Sequence, residues 1–146
     1  MSFLLDTDIV SAFNKRTMPA KLAAWLEANE GESFISLLSI AEMRHGLPGV
    51  AAADHGVVAE RIAQTEIRFA EALEGFDVDT LIEWKKLLAR LKGINRTIAC
   101  EDSLLAATAL RKGHTLVTLN SRHFDPCQAF GLQVENPLAY DTRIRK

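Results

Sequence analysis

Phe3-Leu4-Leu5-Asp6-Thr7-Asp8 is the stretch on which the fold turns. Three apolar residues run straight into a carboxylate and a polar turn, and Ile9-Val10-Ser11-Ala12-Phe13 follows at once. This pattern predicts a short buried strand ending at Asp6 and a helix that starts directly after it. In a parallel α/β sheet, ligands bind in the crevice beyond the carboxyl ends of the strands, so an Asp placed there faces the crevice and not the core. Capping of the new helix is the plain alternative for these acids. Asp8 or Thr7 can supply the cap, which leaves Asp6 free.

The rest of the chain repeats the strand-then-helix pattern. Pro19 opens a second helix, with Leu22, Trp25 and Leu26 spaced along one face. Ser33 to Ser36 reads as a strand, and Leu37 to Gly46 as a helix capped by Gly46. Ala51 to Leu73 reads as mostly one long helix with a candidate interruption at Asp54-His55-Gly56, its apolar stripe (Val58, Ile62, Phe69, Leu73) set opposite a charged face. Gly75 to Val78 is a candidate third strand. Asp79 is the candidate N-cap of a helix carrying Leu81, Trp84, Leu88 and Leu91. Glu101 to Lys112 is a further helix, with alanines that allow close approach to a sheet and Gly113 as its C-cap. Thr115 to Thr118 is the clearest strand, and Leu132 to Val134 a last edge strand. Alternation of this kind predicts an α/β fold, a parallel sheet flanked by helices. Residues 1–140 are expected to form one domain, and Asp141 to Lys146 a frayed polar tail.

Composition narrows the function classes. The 146 residues suffice for one domain with its own core. The net charge of −2 provides no global basic field for nucleic acid, so such a partner needs a local basic patch or a metal. No apolar run is long enough for a membrane span, and the N-terminus does not read as a signal peptide. Cys100 and Cys127 follow no ligand spacing and read as reduced thiols, so the expected location is the cytoplasm.

Three further residues occupy places comparable to that of Asp6. Glu42 lies in the helix after the second strand, where the plain alternative is a solvated residue paired with Arg44 or His45. Asp102 lies in the first turn of its helix, where the dipole alone favours an acid. Asn120 follows a strand, a place where Asn also serves turns. Taken together, Asp6, Glu42, Asp102 and Asn120 are a candidate catalytic set, with the three acids as hard oxygen ligands for Mg²⁺ or Mn²⁺. Like charges this close repel unless a cation neutralises them. Such a site suits in-line displacement at phosphorus by a metal-activated water. The four histidines show no metal-ligand spacing and read as surface or supporting residues. No Ser-His or Cys-His pairing is evident.

These residues resemble a PIN domain, and specifically the VapC-type toxins of bacterial toxin–antitoxin pairs. Leu4-Leu5-Asp6-Thr7-Asp8-Ile9 is similar to the family's first acidic motif, and Ser39-Ile40-Ala41-Glu42-Met43-Arg44-His45-Gly46 to its second. Asp102 to Leu110 resembles the third motif, and Leu116 to Phe124 the fourth. The likeness runs from Leu4 to about Pro137. It implies a three-layer α/β/α fold with a mainly parallel sheet. It also implies a Mg²⁺- or Mn²⁺-dependent endoribonuclease that acts on an RNA substrate, is inhibited by a cognate antitoxin, and is commonly a homodimer. His123 departs from the family, which often has Asp there, and this puts a second metal in doubt. Glu101 either adds a carboxylate to the site or favours the helix start.

Two other readings compete. One is a degenerate PIN module that binds RNA or protein without cutting. The other is a haloacid-dehalogenase-type phosphatase, which Asp6-Thr7-Asp8 resembles but for which the later Lys and acidic pair are missing. Arg44, Lys85, Lys86, Arg90, Lys92 and Arg96 are candidate phosphate contacts, or a solvated basic face. The helix from Ala51 to Leu73 and the one before it are expected to expose an apolar groove for an antitoxin tail, which would reach an Arg or Lys toward the acids.

Overall fold

A computed structural model describes residues 1–139 except 14 and 16. The proposed boundary at residue 140 and the polar tail beyond it lie outside the described residues. Five strands form one all-parallel sheet: β1 (Phe3–Leu5), β2 (Ser33–Ser36), β3 (Leu73–Glu74), β4 (Thr115–Val117) and β5 (Val134–Glu135), in the order β3-β2-β1-β4-β5. The helices are α1 (Thr7–Ala12), α2 (Ala20–Asn29), α3 (Leu37–Gly46), α4 (His55–Arg68), α5 (Val78–Gly93), α6 (Cys100–Lys112) and α7 (Asp125–Gln128).

The period-2 alternation of strand side chains builds two cores, one on each face. Phe3, Leu5, Ile35 and Val117 point to one face and pack with Ile9, Leu22, Leu26, Met43 and Ile62 of α1 to α4. Leu4 and Leu116 point to the other and pack with Leu87, Leu91, Leu105, Ala106 and Phe124. The result is a three-layer α/β/α sandwich, as the alternation of elements implies. β1 is buried on both faces, which is why its sequence is an unbroken apolar run.

Several boundaries differ from the sequence reading. The third strand is Leu73–Glu74 and not Gly75 to Val78, because Asp77 already caps α5. Its Oδ1 accepts from the Thr80 amide at 2.8 Å, so Asp79 is not the cap. The long helix expected from Ala51 shrinks to His55–Arg68. Phe69 leaves its stripe to enter the core, stacked on Phe13 at 6.0 Å between centroids. Gly46 keeps a right-handed φ of −75° and passes into a 3₁₀ turn over Leu47–Gly49, so it is no left-handed cap. Gly113, at φ +73°, is one. The last strand is displaced to Val134–Glu135, and α7 was not foreseen.

His114 is not a surface residue. It is buried beneath Phe34, its Nδ1 2.6 Å from Ser2 Oγ and its Nε2 2.8 Å from Glu74 Oε1. The sequence showed no such Ser-His pairing, because 112 residues separate the partners. Ser2 and His114 precede β1 and β4 and Glu74 ends β3, so this linkage ties the chain start to β4 and to the edge strand β3.

Leu4 is fully buried at the centre of the sheet. Leu4→Ala is expected to destabilise the protein by roughly 2–5 kcal/mol through lost burial and a residual cavity. The shift in urea midpoint measures this. A change below about 1 kcal/mol would mean the central strand is not the anchor described here.

Candidate active site

The chain builds β1, β2 and β3 toward one side and then returns to place β4 and β5 on the other. The order therefore reverses between β1 and β4, and the carboxyl ends of these two strands flank the crevice where α/β sheets bind ligands. Asp6 stands at that point, only 8% exposed, its amide donating to Val117 O at 2.8 Å. Its Oδ1 accepts from the Thr7 amide at 2.7 Å, and its Oδ2 from the Thr118 hydroxyl at 2.8 Å. Asp6 is thus itself the N-cap of α1, contrary to the expectation that Asp8 or Thr7 would free it from that duty. Capping and exposure to the crevice coexist, because each carboxylate oxygen has a second lone pair.

Asp8 has a role that the sequence reading passed over. Its Oδ2 accepts from the Leu119 amide at 3.0 Å and from Asn120 Nδ2 at 2.9 Å, and lies 3.3 Å from the Thr118 hydroxyl. Asp8 therefore fixes the turn after β4 and orients the exposed Asn120 side chain. Asp8 Oδ1 is buried and has no hydrogen-bond partner. The signal available in the sequence was the i, i+2 pair of acids at a helix start, where one acid suffices for a cap.

Glu42 and Asp102 approach from opposite layers. Glu42 lies on α3, whose N-cap is Ser36. The Thr7 side chain favours the ionised form of Glu42 and shares a hydrogen bond of 2.8 Å with Ser39 Oγ. Asp102 lies in the third position of α6, after the N-cap Ala99, so it is a first-turn acid and not a cap. Its Oδ2 is 3.6 Å from His123 Nδ1.

The electrostatics join these groups. Burial pushes the Asp6 carboxyl up to about 6, helped by repulsion from Asp8 and, more weakly, Asp102. Burial also raises Glu42, with Glu101 and Asp102 adding repulsion. Asp102 is raised by burial and by Glu101 and Asp8, against an opposing pull from His123. Glu101, left open by the sequence, thus shares the field of the cleft. Among the described residues none of these acids forms an ion pair with a lysine or arginine.

The donor set is oxygen throughout and carries excess negative charge, and Asp8 beside it has a buried oxygen without a partner. The set fits a hard divalent cation. Among the described residues no three Asp, Glu, His or Cys side chains are grouped so as to hold one ion between them. The arrangement therefore suits a hydrated cation held by one or two carboxylates with water completing its shell, as Mg²⁺ prefers. Asp6, Glu42 and Asp102 share one electrostatic neighbourhood, and Asn120 joins it through Asp8.

A cavity of about 240 Å³ runs from Thr7 and Glu42 between α3 and α4, over Met43, Leu47, Val50, Val58 and Ile62. This is the apolar groove expected there, but Phe69 is no part of it, being 2% exposed in the core. A second cavity, of about 320 Å³, lies on the other side of Asp102.

Residues 3–127 match the PIN domain. The chain is 30% identical over 139 residues to VapC ribonuclease Y4jK of Sinorhizobium fredii, covering 92% of this chain and 96% of that one. It is 25% identical over 134 residues to ribonuclease VapC1 of Rickettsia felis, covering 92% and 95%. Its fold superposes with a TM-score of 0.84 on FitAcB from Neisseria gonorrhoeae, at 25% identity over 94% of this chain and 99% of that one. The chain belongs to the PIN-domain family, and within it to the VapC type. That membership sets aside the phosphatase reading.

The Asp6 shift has a direct consequence for stability. The folded protein holds this proton more tightly than the unfolded chain, whose carboxyl titrates near 3.8. The contribution is therefore fully present below about pH 4 and is lost as pH rises toward 6. Glu42 and Asp102, also raised, act with the same sign. In chelator, the wild-type protein is expected to weaken between pH 4 and pH 7. Asp6→Asn should flatten that slope and be the more stable at pH 7, by roughly 3 kcal/mol at most. Urea midpoints across this range decide it, and parallel profiles for the two proteins would show that the crevice does not disfavour the carboxylate.

Proposed function

We propose that this chain is the endoribonuclease toxin of a toxin–antitoxin pair, and that its cleavage of RNA depends on Mg²⁺ or Mn²⁺. The observation that carries this reading is the cluster of acids at the β1–β4 crevice, desolvated and mutually repelling, with no lysine or arginine neutralising it among the described residues. Asp6, Glu42 and Asp102 would line the cation's place, one or two of them binding it directly and the rest through water, and the bound cation supplies an activated water and neutralises charge on the departing oxygen. Thr118 and the Thr7 amide fix the Asp6 carboxylate. Ser39 and Thr7 orient Glu42. Asp8 holds Asn120 where its carbonyl oxygen can accept a hydrogen bond from substrate or water.

Asp102→Asn tests this directly. The residue is no cap, so the substitution leaves the start of α6 intact and removes only charge. Ribonuclease activity of antitoxin-free protein should fall by roughly a hundredfold or more, since a lost ligand removes several kcal/mol of charge stabilisation. Stabilisation by added Mn²⁺ should shrink, and metal-free stability should hold or rise. Full activity with an unchanged Mn²⁺ response would remove Asp102 from the site. Activity undetectable in the wild type with either metal would favour a binding module without catalysis.

The antitoxin is the partner suited to the groove between α3 and α4. Glu42 closes one end of it, so a basic residue of an inserted tail can meet the acids there, while an apolar anchor lies over Val50 and Val58. Val58→Asp, at the half-buried rim, should reduce retention of co-expressed antitoxin on the toxin at least tenfold. Ile62 and Phe69 are too deeply buried for this test. Undiminished retention would rule the groove out.

A further inference from the structure

The 320 Å³ cavity beside Asp102 is lined by Arg96, Thr97, Ile98, Arg122, His123 and Pro126, among others. Four of the seven arginines among the described residues stand in ion pairs. Arg44 pairs with Glu66, Arg68 with Glu30, Arg90 with Glu83 and Arg111 with Asp79. Arg96 and Arg122 are both exposed, both on this cavity, and in no ion pair among the described residues.

Their backbones are firmly held. α5 ends in a Schellman motif: Asn95 takes a left-handed φ of +57°, its amide donates to Lys92 O at 3.0 Å, and the Arg96 amide donates to Leu91 O at 2.9 Å. A non-glycine residue at positive φ is uncommon, and here it turns the chain so that Arg96 leaves the helix at the cavity. Arg122 lies in the 3₁₀ turn Ser121–Phe124, anchored below by fully buried Phe124 and behind by Asn120, which Asp8 holds. Two guanidinium groups therefore start from fixed points on the lining of one cavity.

We propose that Arg96 and Arg122 form a subsite for a single RNA backbone phosphate adjacent to the one that is cut. The inference rests on the ribonuclease reading above and deepens it. Guanidinium forks match phosphate oxygens bidentately, and their charge offsets the repulsion that the acids exert on a polyanionic strand. The subsite draws the strand to the crevice without neutralising the acids, since neither arginine is paired with them. It also gives an acidic chain the local basic patch that its net charge of −2 withholds. Of the basic residues singled out from sequence, only Arg96 meets this cavity. Arg44 and Arg90 are ion-paired, and Lys85 lies over the Trp84 ring at 4.8 Å.

The test is Arg96→Gln/Arg122→Gln, with Arg111→Gln as control, on a mixed-sequence 12-nucleotide single-stranded RNA. In Mn²⁺, KM for cleavage should rise at least tenfold while kcat changes less than about threefold. In RNA binding by anisotropy, the slope of log affinity against log salt should become shallower by about 0.7, the value for one lost phosphate contact on a single strand. The control should match the wild type in both. If the wild type neither binds nor cuts this RNA, the ribonuclease reading and the subsite fall together. If the wild type binds and cuts but the double variant keeps its KM and its salt slope, the subsite alone is overturned, and the two arginines belong to recognition of a protein partner. A fall in kcat with KM and slope unchanged also overturns it, as a structural disturbance of Asp102.

Discussion

The position of β1 between β2 and β4 is the constraint on which the structure depends. Three residues are hydrogen-bonded on both sides and buried on both faces. Such a strand admits no polar side chain until it ends, so the first carboxylate after it emerges at the sheet's edge. Because β1 is also where the strand order reverses, that edge is the mouth of the crevice. Fold and site are thus set by the same three residues.

Desolvation and repulsion then act on whatever acids the crevice gathers. Surface acids on this protein find arginines and lysines, as Asp77, Asp79, Glu66 and Glu83 do. The crevice acids find each other, a hydroxyl, an amide or one imidazole. A protein gains no stability from that arrangement, since like charges held together in a desolvated place weaken the fold. Strain kept at one site and offset by packing elsewhere is characteristic of sites that act on a ligand. Here two cores on either side of the sheet supply the offset.

The polar framework around the acids divides the labour. Thr7, through amide and hydroxyl, serves both Asp6 and Glu42. Thr118 serves Asp6 and touches Asp8, while Asp8 pins the turn carrying Asn120. Three chain segments that are distant in sequence are thereby locked into one register. Carboxylates and carbonyl are held by hydrogen bonds that leave lone pairs free, which is the form of preorganisation a transferring phosphoryl group needs.

Much of this was legible in the residues themselves. The apolar run into Asp6, the strand–helix alternation and the motifs around Glu42, Asp102 and Asn120 announced a parallel α/β sheet with acids at its carboxyl edge, because burial on both faces and helix starts leave local signatures. What remained hidden depended on distance along the chain. The fusion of cap and crevice acid in Asp6 needed Thr118, and the task of Asp8 needed the turn after β4. The end of the α4 stripe was decided by Phe69 turning inward, and β3 by the cap at Asp77. The Ser2–His114–Glu74 linkage, and the meeting of Arg96 and Arg122 on one cavity, join residues with no common periodicity. Local sequence sets which conformations a segment favours. Only the packed sheet decides which segments meet, since those contacts arise from burial shared between elements and not from any one of them.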